Sequence, residues 1–444
     1  MSFIRTRQSG YADDIMRLYG TFEGSNVGTK EGQRSCKVLT FQVTEDCNLN
    51  CSYCYQIHKT HNKMSFETAR KLIDCIFDTP EKINKYFDIE NLIAIVLEFI
   101  GGEPFLEIEL IDKILDYYVY KAVLAKSNLA YNFKISISSN GTLYFTPKVQ
   151  KFLSKWRDKL SLSISLDGCK ELHDACRVFP DGSGSYDIVE KAVKHELSID
   201  PNLATKMTLA PSNIDYFFEA IKNLVKLGYK EIFCNCVFEE GWSLQDAIKL
   251  YPYLVKTADY LLQFDNIPNV SFFDINIGRP LSPDNLDNWC GGTGKMLSFN
   301  YKGEFFPCTR YMESSLGTDI LPYVIGNIDD GIMNTIDSCN KVNCLKCITR
   351  KSQSTSECFN CPVASGCAWC SAYNYQLFGT PNKRATFICD MHKVRVLGNC
   401  YFWNNYYRIN NLPNRYKLYL DDESCLKIID KEQLSLLREL ESDN

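Results

Sequence analysis

At 444 residues, 45% hydrophobic and 23% charged, the chain has room for two or three domains and the make-up of an ordinary globular protein. A formal net charge of -5 gives no electrostatic case for nucleic acid. No apolar run has membrane-spanning length, and Met1–Gln8 has no apolar core of signal-peptide type, which predicts a cytoplasmic protein with no membrane partner. The outlying number is 21 cysteines. Disulfide scaffolds are usually short and exported, so clustered Cys-x2-Cys spacings here read as metal sites.

Residues 1–36 are a polar N-terminal extension in which Asp13–Tyr19 is expected to form a short helix. From 37 to 285, strand and helix patterns alternate. The expected strands are Val38–Val43, Leu92–Ile100, Phe133–Ser138, Leu160–Leu166, Thr205–Leu209 and Ile232–Phe238. Amphipathic stretches separate them: Ser65–Phe77, Ile108–Ala125, Pro147–Lys159, Tyr186–Leu197, Asn213–Leu227 and Ser243–Phe264. Repeated βα units predict an α/β fold with a parallel sheet, here a partial (β/α)6 TIM-like barrel with its site at the C-terminal strand ends.

Each strand end carries candidate chemistry. After the first, Cys47, Cys51 and Cys54 are separated by three and two residues, with Tyr53 before the last. Three thiolates on one loop can hold three irons of a [4Fe–4S] cube and leave the fourth iron open to a small chelating molecule. The alternatives are a zinc knuckle or inert thiols. After the second strand, Gly101 and Gly102 permit close backbone approach and Glu103 adds a carboxylate. Asn140, in Ser139-Asn-Gly-Thr142, is a turn residue within reach of hydroxyl groups. Ser165 and Asp167 follow the fourth strand, and Arg177 can fork onto a carboxylate or serve as a surface ion pair. Ser212 is a candidate helix cap, and Glu239 or Glu240 lies near the mouth as substrate contact or solvated acid. Cys169, Cys176, Cys234 and Cys236 read as small buried hydrophobes.

Residues 286–395 form a second, cysteine-rich unit. Tyr301–Cys308 reads as a hairpin that turns at Lys302-Gly303 and ends on Cys308. Cys290 precedes it, and Cys358, Cys361, Cys367, Cys370 and Cys389 follow, with an extra pair at Cys344 and Cys347. Zinc ribbons use similar spacings and are the alternative reading. Residues 396–444 are expected to close the chain as a helical tail including Ile428–Glu441, with Tyr401–Tyr407 packed inside.

The cysteine loop with Gly101-Gly-Glu-Pro104 resembles the signature of radical S-adenosylmethionine (SAM) enzymes. The C-terminal spacing resembles their SPASM domain, and Cys361–Cys370 with Arg384–His392 is similar to maturases of repeat-containing cysteine peptides. The resemblance implies SAM and three [4Fe–4S] clusters. By it Cys47, Cys51 and Cys54 hold the SAM-binding cluster; Cys358, Cys361, Cys367 and Cys389 hold an outer auxiliary cluster; Cys290, Cys308 and Cys370 hold an inner one. It implies SAM contacts from Tyr53, Gly101, Gly102, Glu103, Asn140, Ser165 and Asp167, with Arg177 on the SAM carboxylate. The chain departs from the family pattern in having two residues, not three, between Cys367 and Cys370, and no cysteine between Cys290 and Cys308. The inner site is then open, or closed by Cys344 or Cys347.

The implied activity is thioether formation, from Cys sulfur to carbon, in a ribosomally synthesised Cys-containing precursor peptide, with a low-potential flavodoxin or ferredoxin as electron donor. Formylglycine formation in a sulfatase, carbon–carbon crosslinking or epimerisation are the enzymatic alternatives. A zinc or iron–sulfur binding module is the non-enzymatic one.

Overall fold

The computed structural model describes residues 35–238, 241–288 and 290–442. The expected helix at Asp13–Tyr19 and the acids Glu239 and Glu240 lie outside the described residues. Strand β1 (Ser35–Gln42) is the middle of the architecture. On one side it pairs in parallel with β2 (Leu92–Ile100), which leads through β3 (Phe133–Ser139), β4 (Leu160–Ile164), β5 (Ala204–Leu209) and β6 (Glu231–Cys236) to β7 (Asn269–Val270), all parallel. The six expected strands are all present, with ends shifted by a few residues at most. The seventh, of two residues, is too short to show a period.

On its other side β1 pairs in parallel with β8 (Met296–Phe299). Antiparallel β9 (Glu304–Phe306), β10 (Gly326–Asn327) and β11 (Gly331–Ile332) complete the sheet. The expected hairpin is therefore real. Gly303 turns it at φ +80 and donates to Asn300 O at 3.0 Å. The boundary drawn at residue 285 is not a break in the sheet, because strands from both sides of it share β1.

Period-2 alternation divides the two faces. Leu39, Phe41, Leu97, Phe99, Ile135 and Ile137 point to one face and are buried beneath the helices Phe66–Phe77, Ile108–Leu124 and Pro147–Trp156. Tyr186–Ile199, Phe217–Leu227 and Leu244–Leu261 continue the helical layer. Ser65 caps the first helix, accepting from Thr68 N at 3.0 Å. Ser212 does not cap the fifth. A 3-10 turn, Pro211–Tyr216, precedes that helix, and Asn213 Oδ1 accepts from Ala210 N at 2.8 Å instead.

The other face carries a small apolar cluster, Cys36, Val38, Ala94 and Val96, near the N-terminal strand ends and turns polar toward the C-terminal ends. Registered across it are Ser298, Thr40, Glu98, Ser136 and Ser161. Ser138, Lys206 and Asn235 are exposed although they sit within strands of the sheet. Hydrophilic, solvent-reached strand interiors mark a cavity rather than a packed core.

The helix Cys389–Ile409 packs along Leu244–Leu261, with Cys389 as its first residue beside Cys358 and Cys367. Phe402 stacks on Phe273 with centroids 4.8 Å apart, so Tyr401–Tyr407 packs as expected. The helix Lys431–Ser442 closes the tail. Among the described residues, no helix is long and apolar enough to cross a membrane.

Candidate active site

The chain after β1 leaves the C-terminal edge of the sheet as a loop tied at its base. Met64 N donates to Val43 O at 2.9 Å and Glu45 N to Asn62 O at 2.9 Å. Its middle docks on the segment after β4: Ser52 N donates to Cys176 O (2.9 Å) and Asn50 N to Val178 O (2.7 Å). Cys47, Cys51 and Cys54 are thereby held at the cavity mouth. Burial pushes the Cys47 thiol up to about 11, and Cys51 is raised by the same cause. Neighbouring thiols add to it, Cys51 acting on Cys47 and Cys54 on Cys51.

Gly101 and Gly102 fit because nothing larger can. A Cβ on Gly102 would stand 2.2 Å from Asp46 O and 2.7 Å from Cys47 Cβ; on Gly101 it would stand 2.7 Å from Thr44 O. Two backbone bonds, Gly102 N to Thr44 O (3.1 Å) and Glu103 N to Asp46 O (2.8 Å), join this strand end to the cysteine loop. Glu103 is 1% exposed. It accepts from Phe105 N (3.0 Å), Ser139 Oγ (2.8 Å) and Asn140 N (2.7 Å). Burial drives its carboxyl up to about 7 against those three donors. Asn140 turns toward the loop, donating to Asn48 Oδ1 at 2.8 Å, with Cys47 Sγ at 4.0 Å.

Tyr53, Asp167 and Arg177 form one unit. The Tyr53 hydroxyl donates to Asp167 Oδ2, which also takes Arg177 Nε at 2.8 Å; Thr208 N donates to Oδ1 at 3.0 Å. The Arg177 guanidinium lies 5.4 Å from the Tyr53 ring centroid. Asp167 is fully buried, and its charge raises the Arg177 guanidinium well above its ordinary range against the desolvation that lowers it. Among the described residues the two Nη groups of Arg177 make no hydrogen bond to protein. Ser165 N is fixed to Ser139 O at 2.9 Å at the adjacent strand end.

Beneath this unit runs a relay that the sequence reading did not single out. Asp167 N donates to His173 Nδ1 (3.3 Å), so the ring proton sits on Nε2 and is donated to Ser185 Oγ (2.9 Å). Ser185 in turn donates to Arg177 O at 2.7 Å. Burial pushes His173 down to about 4 and keeps it neutral. The Gly182-Ser-Gly-Ser-Tyr186 run was the available signal, because it returns a hydroxyl to the arginine backbone.

The C-terminal thiols fall into two groups. Cys308 interacts electrostatically with Cys290 and Cys370; Cys389 interacts with Cys367 and Cys358, and Cys367 with Cys358 and Cys361. Burial raises Cys308, Cys367, Cys370 and Cys389. Tyr55, next to Cys54, reaches the first group. It neighbours the Thr309 side chain, and the Arg310 guanidinium lies 4.8 Å from its ring centroid; both residues directly follow Cys308. The Tyr311 hydroxyl is buried beside these thiols, near the Ser371 side chain, and among the described residues makes no hydrogen bond.

Among the described residues, no three His, Cys, Asp or Glu side chains are disposed to hold a metal ion. The two thiol groups supply soft thiolate donors of the kind a cube takes, each thiolate on a different iron.

Residues 41–251 match the model of the Radical SAM superfamily, and this stretch of the chain is a radical SAM domain. It contains the cysteine loop, Gly101–Glu103, Asn140 and the Tyr53–Asp167–Arg177 unit. Radical SAM cyclopropyl synthase TigE of Paramaledivibacter caminithermalis is 24% identical over 404 residues, 85% of this chain and 77% of its own. The cysteine-type anaerobic sulfatase-maturating enzyme of Clostridium perfringens is 24% identical over 340 residues, 68% of this chain and 80% of its own. The solved structure of native anSMEcpe with bound AdoMet and Cp18Cys peptide has the same fold, with TM-score 0.59 and 17% identity over 85% of this chain and 99% of that one.

Proposed function

We propose that the protein is a SAM-dependent radical enzyme that forms thioether crosslinks in a ribosomally made, cysteine-containing peptide. When bound, SAM and the cluster at Cys47, Cys51 and Cys54 supply a 5′-deoxyadenosyl radical that removes hydrogen from a peptide carbon. The protein's part is placement. Asp167 locks Arg177 so that its Nη pair is presented to the SAM carboxylate. The backbone of Gly101 and Gly102, with Asn140 and Ser165, lines the remainder of the SAM seat. Tyr53, Asp167 and Glu103 have their polar groups engaged within the protein and act as positioning residues rather than direct contacts.

The observation that carries the thioether reading is the packing of Arg310, two residues after Cys308, over the ring of Tyr55 beside Cys54. It sets the soft thiol group of Cys290, Cys308 and Cys370 against the cysteine loop. An iron site there with three protein thiolates suits a fourth ligand from outside, and a peptide thiolate is the soft donor it would take. Holding that sulfur still beside the new carbon radical is the proximity effect the reaction needs. The outer group, Cys358, Cys361, Cys367 and Cys389, has four thiols and suits an electron-transfer cluster served by a flavodoxin or ferredoxin.

The similarity to a sulfatase-maturating enzyme favours a second reading, oxidation of a Cys or Ser to formylglycine. Mass measurement separates the two. The chain is co-expressed with short Cys-rich peptides encoded beside it. A thioether appears as loss of two hydrogens with sulfur retained and one thiol fewer to alkylate, whereas formylglycine from Cys loses the sulfur and formylglycine from Ser loses two hydrogens with every thiol still open to alkylation. Loss of sulfur overturns the thioether reading.

A further inference from the structure

The pair Cys344-Leu-Lys-Cys347 belongs to neither thiol group. Cys344 lies in the last turn of the helix Ile336–Lys346, and Cys347 caps it, donating from N to Asn343 O (3.1 Å) and Cys344 O (3.2 Å). The two side chains are thus one turn apart on one face. Cβ atoms so spaced stand about 5–6 Å apart, and a disulfide needs about 3.5–4.5 Å. A small shift at a helix end closes that gap.

Their surroundings differ. Cys347 is exposed, whereas Cys344 is half-buried beside the Tyr323 and Thr380 side chains. The Tyr323 ring packs against Tyr311 at 4.9 Å between centroids. Tyr311 Cε2 and Cys308 Sγ lie 3.5 and 3.4 Å from a single point above Gly292. Two tyrosines therefore separate Cys344 from the inner thiols, which removes it and Cys347 as natural fourth ligands there.

We propose that Cys344 and Cys347 are a thiol–disulfide exchange site that reduces disulfide-bonded cysteine peptides. Cys347, the exposed sulfur, attacks one sulfur of the peptide disulfide and releases the other as a thiol. Cys344 then attacks the Cys347 sulfur of the mixed disulfide and releases the second peptide thiol. The two protons of the protein thiols end on the peptide thiols, and the protein keeps the Cys344–Cys347 disulfide. A dithiol of lower potential then reduces the Cys344–Cys347 disulfide, is itself oxidised to a disulfide, and restores the pair. The helix end sets the direction. Thiolate-stabilising positions, such as helix N-termini, favour the reduced form and make oxidants. A helix C-terminus has the opposite polarity, so it withholds the thiolate stabilisation that makes those pairs oxidants and leaves this pair more reducing than they are. The site would deliver cysteines in the free form that the adjoining chemistry consumes; only this peptide assignment rests on the proposed function.

The test uses the full chain with its clusters reconstituted anaerobically and oxidised glutathione, itself a peptide disulfide, as probe. Wild type should release two glutathiones per pair and show a Cys344–Cys347 disulfide by peptide mapping. Cys344→Ser should release one and retain glutathione on Cys347. Cys347→Ser should lose the release altogether. Iron content and modification of pre-reduced peptide should be unchanged in both variants, so a failed peptide assay with intact glutathione exchange would count against the proposed function alone. Unmodified Cys344 and Cys347 in wild type, adduct formed first on Cys344, or loss of a cluster's iron in either variant would overturn the exchange site.

Discussion

Glu103→Gln tests how the strand end holds the cysteine loop. The carboxylate takes three hydrogen bonds, two on Oε1 and one on Oε2. Glutamine keeps the oxygen for Phe105 N and Ser139 but turns an NH2 toward Asn140 N, leaving buried donors face to face. A lost bond with unsatisfied groups costs about 1–3 kcal/mol. The pH dependence is more telling. Burial holds Glu103 up to about 7, above its ordinary value of 4.5. A carboxyl raised in the folded state contributes stability at low pH, and that contribution disappears as pH rises through the folded value. Between pH 5 and pH 8 the wild type should therefore lose about 2–3 kcal/mol relative to Glu103→Gln, a protein without the titrating group. Paired denaturant titrations of the two proteins at both pH values, followed by far-UV circular dichroism, measure this difference. A stability gap that does not move with pH would show that the three donors keep Glu103 ionised, and the reasoning from burial would fail.

Arg177→Lys should keep the fold, since a charge still faces Asp167, yet weaken SAM binding by about 1.5–3 kcal/mol because the fork is gone. Arg177→Ala should also destabilise the chain by about 3–5 kcal/mol by stranding a buried carboxylate; SAM titration and melting separate these effects, and a lysine variant with wild-type affinity refutes the SAM role. Joint replacement of Cys47, Cys51 and Cys54 by Ala should abolish 5′-deoxyadenosine production and lower iron from about twelve to about eight per chain. Retained deoxyadenosine would sink the radical mechanism, and zinc in place of the remaining iron would favour ribbons. Gly102→Ala drives a methyl into Asp46 O, an overpacking worth about 1–3 kcal/mol; metal analysis should show the loop's four irons depleted before the others, and full occupancy would mean that the loop yields easily.

The large features were legible because they rest on short periods and fixed spacings. The β-branched, aromatic and apolar runs Val38–Val43 and Leu92–Ile100 gave the central strands, and Lys302-Gly303 gave the hairpin turn. What escaped depends on which loops meet. Asp167 and Arg177 are ten residues apart, but Tyr53 arrives from a different strand end, and the three satisfy one another. Glu103 was readable as a carboxylate at a strand end, but not as one consumed by Ser139 and Asn140. Ser212 was the better cap by type, yet the 3-10 turn at Pro211 handed that role to Asn213. No local pattern shows that β8 and β1 are neighbours, because pairing across roughly 250 residues leaves no period to read.

That pairing bears on how the protein is made. β1 leaves the ribosome early, with β2 soon available for one edge. Its other edge waits for β8, and at about 5–20 residues per second the wait is on the order of 10–50 s. During that interval a central strand behaves as an edge, with unpaired N–H and C=O groups that invite foreign strands. The cysteine loop hangs from this unfinished strand. Arg310, which packs on Tyr55, comes still later, so that contact cannot form before the hairpin is complete. Iron delivered too soon would meet a loop with half its walls missing. Late cluster loading, on a chain already past Cys308, follows from strand order alone.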